Sequence, residues 1–370
     1  MSPTIPRIAI LISFSGQGGV ERMIVNLLQA MAKLPLTIDL LLIKGNVADD
    51  DLPANIHVHR FASGHSYRSL PELIRYLKSA QPTALIAAKH RAMQVAVAAR
   101  WLSGQRLTLV GRLGTTVSAA LADRHPLRLW WWRQSVRLFY PHLDRLIAVS
   151  AGVRDDVLAM CHNIQVDVID NPVISDKLYA QAAAPCPHAW LAQRDIPVII
   201  GVGRLTRQKD FATLIRAFAK LHDNQRCRLL IVGDGNERGA LQQLATDLGV
   251  KEAVDFTGYQ RNPYSYVARA SLFVLSSRWE GSPNALTEAM ALGIPVVSTD
   301  CPSGPRELLV DGRYGMLVAV GDSDAMTNAM AQTLALPPPA ETLKTAVSRF
   351  NADYSAARYL AACGITTTTD

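Results

Sequence analysis

Residues 272–300 read LFVLSSRWEGSPNALTEAMALGIPVVSTD. The apolar run Leu272–Leu275 predicts a buried strand, Asn284–Leu292 carries apolar residues at helical spacing, and Val296–Ser298 predicts the next strand. A strand, a helix and a strand within thirty residues form one unit of a parallel sheet with both faces covered. The same alternation extends backwards: strand Val198–Val202, helix Asp210–His222, strand Arg228–Val232, helix Glu237–Leu248, strand Val254–Thr257 and helix Asn262–Arg269. The first half repeats it, with strands at Ile8–Phe14, Ile38–Ile43, Ala84–Ala88, Leu107–Gly111 and Arg145–Val149 and helices such as Val20–Lys33 and Leu70–Ala80.

Between the halves, residues 171–197 carry Pro172, Pro185, Pro187 and Pro197 with the run Ala182–Ala184, and read as a linker. A chain of 370 residues is long enough for two cores. The expectation is an α/β protein of two Rossmann-like doubly wound domains, residues 1–172 and 190–344, facing each other across a cleft. Pro337–Pro339 closes the second alternation, and the last helical pattern, Glu341–Ala362, is a candidate to return to the first domain within residues 345–370. Such sheets take ligands at the carboxyl ends of their strands, which directs the search for chemistry to the loops found there.

Composition narrows the classes. Residues 1–175 hold 19 Lys/Arg and 12 Asp/Glu while residues 176–370 hold 19 of each, so the whole formal charge of +7 lies in the first half and points to an acidic partner there. The five cysteines are odd in number and none is paired at metal-ligand spacing, which favours a reducing compartment over disulfides or zinc. No eighteen-residue apolar run is present, and the apolar N-terminus reads as a first strand rather than a signal peptide.

Three loops carry chemistry. Glu280-Gly281-Ser282-Pro283-Asn284-Ala285-Leu286-Thr287-Glu288 follows a strand; Ser282 suits an N-cap, Pro283 the first helical turn, and the amides at that helix start suit an anion. Its null interpretation is a capped helix with two solvated acids. Gly203-Arg204-Leu205-Thr206-Arg207-Gln208-Lys209-Asp210 puts a planar cation and a point charge on one loop, both suited to a diphosphate. Ser15-Gly16-Gln17-Gly18-Gly19-Val20-Glu21 exposes amides at the first helix start without the full dinucleotide spacing; Asp39 lies inside a strand rather than at its end. Asp322-Ser323-Asp324 reads as a helix cap, and no metal is expected.

With FTGY, IVGDGNE and CPSGPRELLVDGRYGMLV, these motifs resemble the family 4 retaining glycosyltransferases of GT-B fold. The likeness is dense in the second half and confined in the first to GQGGVER, LIAVS with Ala151-Gly152-Val153, and Asn171-Pro172-Val173. It implies that Arg204 and Lys209 bind the donor diphosphate, Glu288 the ribose and Glu280 the donor sugar. Gly16, Gly18 and Gly19 would line the opposite wall; Gly281, Ser282, Pro283 and Asn284 the phosphate end; and Gly233 or Tyr259 the base. A His expected to contact the sugar is missing from its usual strand, leaving Arg112 or His90 as alternatives. The resemblance further implies retention at the anomeric carbon without metal or other cofactor, a UDP-sugar donor with GDP next, and a glycan or lipid-linked acceptor in bacterial surface-polysaccharide synthesis.

The segment 124–140, RHPLRLWWWRQSVRLFY, interleaves Arg124, Arg128, Arg133 and Arg137 with Trp130, Trp131 and Trp132. That pattern suits a helix lying on an anionic membrane, so the expected location is cytoplasmic and peripheral to the inner face of the plasma membrane. Its bland counterpart is a helix burying its tryptophans. The rival functions are an epimerase or phosphorylase of the same fold and a basic nucleic-acid binder; no nucleic-acid reading element and no dinucleotide fingerprint is found, and nucleic acid is not an expected partner.

Overall fold

Alternate residues of the first strand enter two different cores. Ile8, Ile10 and Ile12 pack with the helix Gly19–Met31, while Ala9 and Leu11 pack with the helices Leu70–Ala80 and His90–Ser103. A strand that is apolar at every position must be covered on both sides, and the helices between strands supply that cover. The computed structural model describes residues 5–14, 19–47, 52–121, 126–192 and 195–366.

The chain divides into two units, residues 1–172 with 351–370, and residues 173–350. Among the described residues the first holds seven strands: β1 (Arg7–Ser13), β2 (Thr37–Lys44), β3 (Ile56–Arg60), β4 (Ala84–Ala88), β5 (Thr108–Leu113), β6 (Arg145–Ala148) and β7 (Val166–Val168). They form one parallel sheet in the order β3-β2-β1-β4-β5-β6-β7. The second holds β8 (Val198–Val202), β9 (Arg228–Val232), β10 (Val254–Gly258), β11 (Leu272–Leu275), β12 (Val296–Thr299) and β13 (Met316–Val318), in the order β10-β9-β8-β11-β12-β13. This sheet is parallel too. Each sheet reverses direction between its first and fourth strands, and at such a switch point the strand-end loops diverge and leave room for a ligand.

Two features differ from the sequence reading. The stretch taken as a linker is mostly folded: helices Asp176–Ala183 and Ala189–Ala192 belong to the second unit, with Leu178, Ala182 and Leu191 in its core. The crossing lies between Pro172 and Val173, where the first domain was expected to end. The pattern Glu341–Ala362 is not one helix but two, Ala340–Ala346 and Ala352–Ala362. Asn351 stops the run because its side-chain oxygen accepts from the Asp353 and Tyr354 amides and starts a new helix. Only that second helix returns to the first unit, where it buries Ala356, Tyr359 and Leu360. Burying one large side chain is worth about 1.5–3 kcal/mol, enough to fix the helix against its sheet.

Candidate active site

The loop after β8 and the loop after β11 meet at the second sheet's switch point. Lys209 Nζ lies 2.6 Å from Glu280 Oε1, and both side chains are largely buried. Ser277 donates its hydroxyl to the same oxygen at 2.6 Å. Backbone and side-chain bonds then fasten the two loops together. Arg278 N donates to Gln208 O at 2.8 Å, Gln208 Nε2 to Trp279 O at 3.0 Å, and Ser276 Oγ to Lys209 O at 2.7 Å. Asp210, buried in a left-handed conformation with φ 45°, accepts from Thr213 Oγ1 at 3.0 Å and pairs with Arg278 Nε at 3.1 Å. The lysine and the glutamate are thus held by two stitched loops, not by their own flexible stems.

The loop after β9 braces the loop after β8 from the other side. Gly203 N donates to Val232 O, Leu205 N to Asp234 O and Glu237 N to Leu205 O. The approach is so close that a Cβ on Gly233, whose φ is 147°, would stand 1.9 Å from Gly203 O. Gly233 therefore serves the packing of the two loops. Arg204 is exposed at this rim; its carbonyl accepts from Thr206 N at 2.9 Å, and among the described residues its guanidinium has no hydrogen-bond or ion-pair partner. Tyr259, exposed, follows the Gly258 whose carbonyl accepts from Gly233 N.

The helix after β11 is Asn284–Ala291, starting at the residue where the helical pattern was expected to start. Pro283 is the cap residue with ψ 83°, and no side chain caps the helix, so Ser282 is not the N-cap. The loop after β12 holds this turn in place: Ser303 Oγ donates to Gly281 O, and a Cβ on Gly304 would lie 2.7 Å from Pro283 Cδ. Glu288, buried one turn further on, accepts from the Tyr264 hydroxyl at 3.1 Å. Burial, and then the nearby Glu280 carboxylate, push the Cys301 thiol up to about 12, so it stays protonated and inert beside the site.

The site therefore gathers an exposed guanidinium, a lysine paired with a carboxylate and a helix start on one rim, a set that suits a bound diphosphate with a polar group attached. The model of the glycosyl transferases group 1 matches residues 188–349, and that of glycosyltransferase family 4 matches residues 17–177. The chain belongs to the family 4 glycosyltransferases. Half of the chain is 43% identical to an uncharacterized glycosyltransferase of Methanocaldococcus jannaschii, the match spanning 49% of each. The lipopolysaccharide core biosynthesis glycosyltransferase LpsE of Rhizobium meliloti is 29% identical over 87% of each chain. The N-acetylgalactosamine-N,N'-diacetylbacillosaminyl-diphospho-undecaprenol 4-alpha-N-acetylgalactosaminyltransferase of Campylobacter jejuni is 27% identical over 86% of this chain and 88% of its own. Anabaena HepE, in a crystal structure with UDP, superposes with a TM-score of 0.77 at 20% identity, covering 96% and 98% of the two chains. The fold is that of the GT-B glycosyltransferases.

In the glycosyltransferase's first unit the two alternatives for a sugar contact are otherwise engaged. Arg112 is only 1% exposed; its Nε donates to the Tyr359 hydroxyl at 3.1 Å and its Nη2 to Asn171 Oδ1 at 2.7 Å. It ties β5 to the returning C-terminal helix and is not presented to a ligand. Both ring nitrogens of His90 are engaged, with Tyr140 at 3.0 Å and Ser135 at 2.9 Å, and the ring lies tilted against Trp132 with centroids 5.0 Å apart. Burial, and then the Arg91 charge, push His90 down to about 4, so it is neutral at neutral pH. Gly19 opens the helix Gly19–Met31; Gly16 and Gly18 lie outside the described residues, as does Arg124. Asp322 caps the helix Ser323–Ala335 through the Ala325 amide, as read.

Sequence reasoning missed Ser276, Ser277, Asp210, Arg278 and Tyr264. The serines stand immediately before the conspicuous Glu280 loop and carried the nearest available signal. The other three act through partners distant in the chain.

Proposed function

We propose that this glycosyltransferase is retaining and metal-independent, and moves a hexose from a nucleotide-diphosphate sugar to a glycan or lipid-linked acceptor in bacterial surface-polysaccharide synthesis. The observation that carries the reading is the Lys209–Glu280 pair at 2.6 Å, set beside exposed Arg204 at the switch point. Lys209 and Arg204 take the diphosphate, the amides at the start of the helix Asn284–Ala291 add positive potential, and Glu280 orients the sugar hydroxyls. Glu288, steadied by Tyr264, takes the ribose.

The step breaks the bond between the anomeric carbon and the diphosphate oxygen and forms a bond from that carbon to the acceptor oxygen on the same face. The acceptor proton passes to the departing phosphate. Charge builds on the diphosphate as its bond breaks, and fixed cations stabilise it without reorganising at that moment. The acceptor class is drawn from the Rhizobium and Campylobacter relatives, and UDP is the first base to screen because HepE holds it, with GDP next. The basic first half fits work at the inner face of a membrane; no helix among the described residues is long and apolar enough to cross one.

The test is Lys209→Ala in an assay saturated with donor. Removing one such contact costs on the order of 3 kcal/mol of barrier, so turnover falls at least about tenfold while the protein stays folded. Undiminished turnover would overturn the assignment. Product analysis of the unsubstituted enzyme completes it: retained configuration in the product supports the mechanism, and isomerised donor in the absence of acceptor marks an epimerase instead.

A further inference from the structure

The helix Pro126–Phe139 presents an apolar stripe to solvent. Leu127, Trp130, Trp131 and Leu138 are 57%, 50%, 62% and 59% exposed. At 3.6 residues per turn these four positions fall within an arc of about 100°, the width of a face that an amphipathic helix ordinarily buries. The opposite side is already used. Val136 is fully buried, Trp132 packs into the first unit's core, and Ser135 is bonded to His90. The helix is thus seated by one face while a second apolar face stays uncovered. Of the three consecutive tryptophans, two point outward and one inward.

The charge carried by the helix itself has one sign. Arg133 and Arg137 flank one edge and Arg128 the other, all exposed, and the helix contains no Asp or Glu. Trp101, 51% exposed on the helix His90–Ser103, stacks against Phe139 at 6.4 Å and adds aromatic surface beside the stripe. Trp130 and Trp131 meet edge to face at 4.9 Å, forming one broad wedge.

We propose that this face docks the enzyme on an anionic lipid surface, with Leu127, Trp130, Trp131 and Leu138 entering the headgroup boundary and the three arginines meeting lipid phosphates. Aromatic rings with polar edges favour that depth, and arginines around them add attraction that salt weakens. A second protein copy would need acidic groups opposite these arginines, and the helix itself offers none. The docking face rests on the proposed transferase reading for its purpose, the meeting with a lipid-linked acceptor; the lipid contact itself does not depend on catalysis.

The experiment is flotation of the full chain with vesicles of equal parts phosphatidylglycerol and phosphatidylcholine, against vesicles of phosphatidylcholine alone. Quenching of tryptophan fluorescence by brominated lipid is read alongside. The expected result is binding to the anionic vesicles that falls steeply with salt and drops at least about tenfold in a Trp130→Ala/Trp131→Ala variant and in an Arg128→Glu/Arg133→Glu variant. Both variants should keep the unsubstituted melting temperature and affinity for UDP or GDP, so a folding defect is recognised. Equal flotation of the tryptophan variant, or equal binding to neutral vesicles, overturns the proposal. So does a dimer in sedimentation that the tryptophan substitutions dissociate, since the face would then belong to a second copy. Lipid binding without nucleotide binding would leave the docking face standing and remove the catalytic reading; the reverse result would remove only the docking face.

Discussion

Both sheets bridge their switch points with a lysine, and the two bridges differ in kind. In the second unit Lys209, after the first strand, reaches a carboxylate after the fourth, Glu280, at 2.6 Å. In the first unit Lys89, after the fourth strand, reaches back to the backbone carbonyl of the first strand's last residue, Ser13 O, at 2.5 Å. The first bridge joins two charges, which under the proposed function re-pair with a diphosphate and a sugar; the second fastens a turn. Around each lysine the same contrast holds. Among the described residues, the second switch point leaves the Arg204 guanidinium open beside Lys209, while the first commits Arg112 and His90, near Lys89 in the chain's topology, to protein partners.

The contrast can be attacked from its structural side. Beyond the loss of turnover at Lys209, the largest expected effect is at Arg112. Arg112→Ala strands the Tyr359 hydroxyl and Asn171 amide in the interior and opens a cavity, at a cost of about 3 kcal/mol. A shift in the denaturant midpoint measures it. A loss under about 1 kcal/mol would mean that Arg112 is not a tie, and would return it to consideration as a ligand group.

His90 offers a test by pH. Its proton is bound near pH 4 in the folded chain and near its ordinary 6.5 when unfolded. Between those values the unfolded state holds more protons, so this group makes stability rise with pH, and acidification from 6.5 to 4 costs up to about 3 kcal/mol. His90→Gln should lose that part of the acid slope. If the slope is unchanged, the imidazole is not the buried neutral group its contacts describe.

The smallest effect sharpens the Lys89 half. Its backbone sits at φ 82°, ψ 148°, a region that L residues pay to enter. Lys89→Ala and Lys89→Gly both remove the bond to Ser13, but glycine enters that region freely. The glycine variant should therefore be the more stable of the two by about 1 kcal/mol in chemical denaturation. Equal stability would show the turn to be unstrained.

Legibility followed the same division. Strands buried on both faces, such as Val198–Val202, Arg228–Val232 and Leu272–Leu275, announce themselves because their runs carry no polar side chain except Arg228 at a strand start. β3, β7 and β13 went unread. Ile56–Arg60 is an edge strand that alternates histidines with aliphatics, and Val166–Val168 and Met316–Val318 are three-residue edges whose pairing comes from the neighbour. In the site, Lys209 and Glu280 were visible as chemistry on adjoining loops, and the structure joins them. Tyr264 and the Asp210–Arg278 pair were not, because a hydrogen bond between residues 24 or 68 positions apart leaves no local pattern. The Ala182–Ala184 run misled for the opposite reason: small apolar residues beside prolines look like a spacer, yet Ala182 packs into a core.

The break at Asn351 bears on how the chain is made. The first unit's sheet is finished only when Tyr359 and Leu360 close over it, and those residues leave the ribosome after the whole of the second unit. During synthesis residues 173–350 can therefore settle first as a complete body, while the earlier half waits with an apolar flank uncovered. The part made first is completed last, and a nascent chain stalled before residue 359 would hold Arg112 with one of its anchors not yet translated.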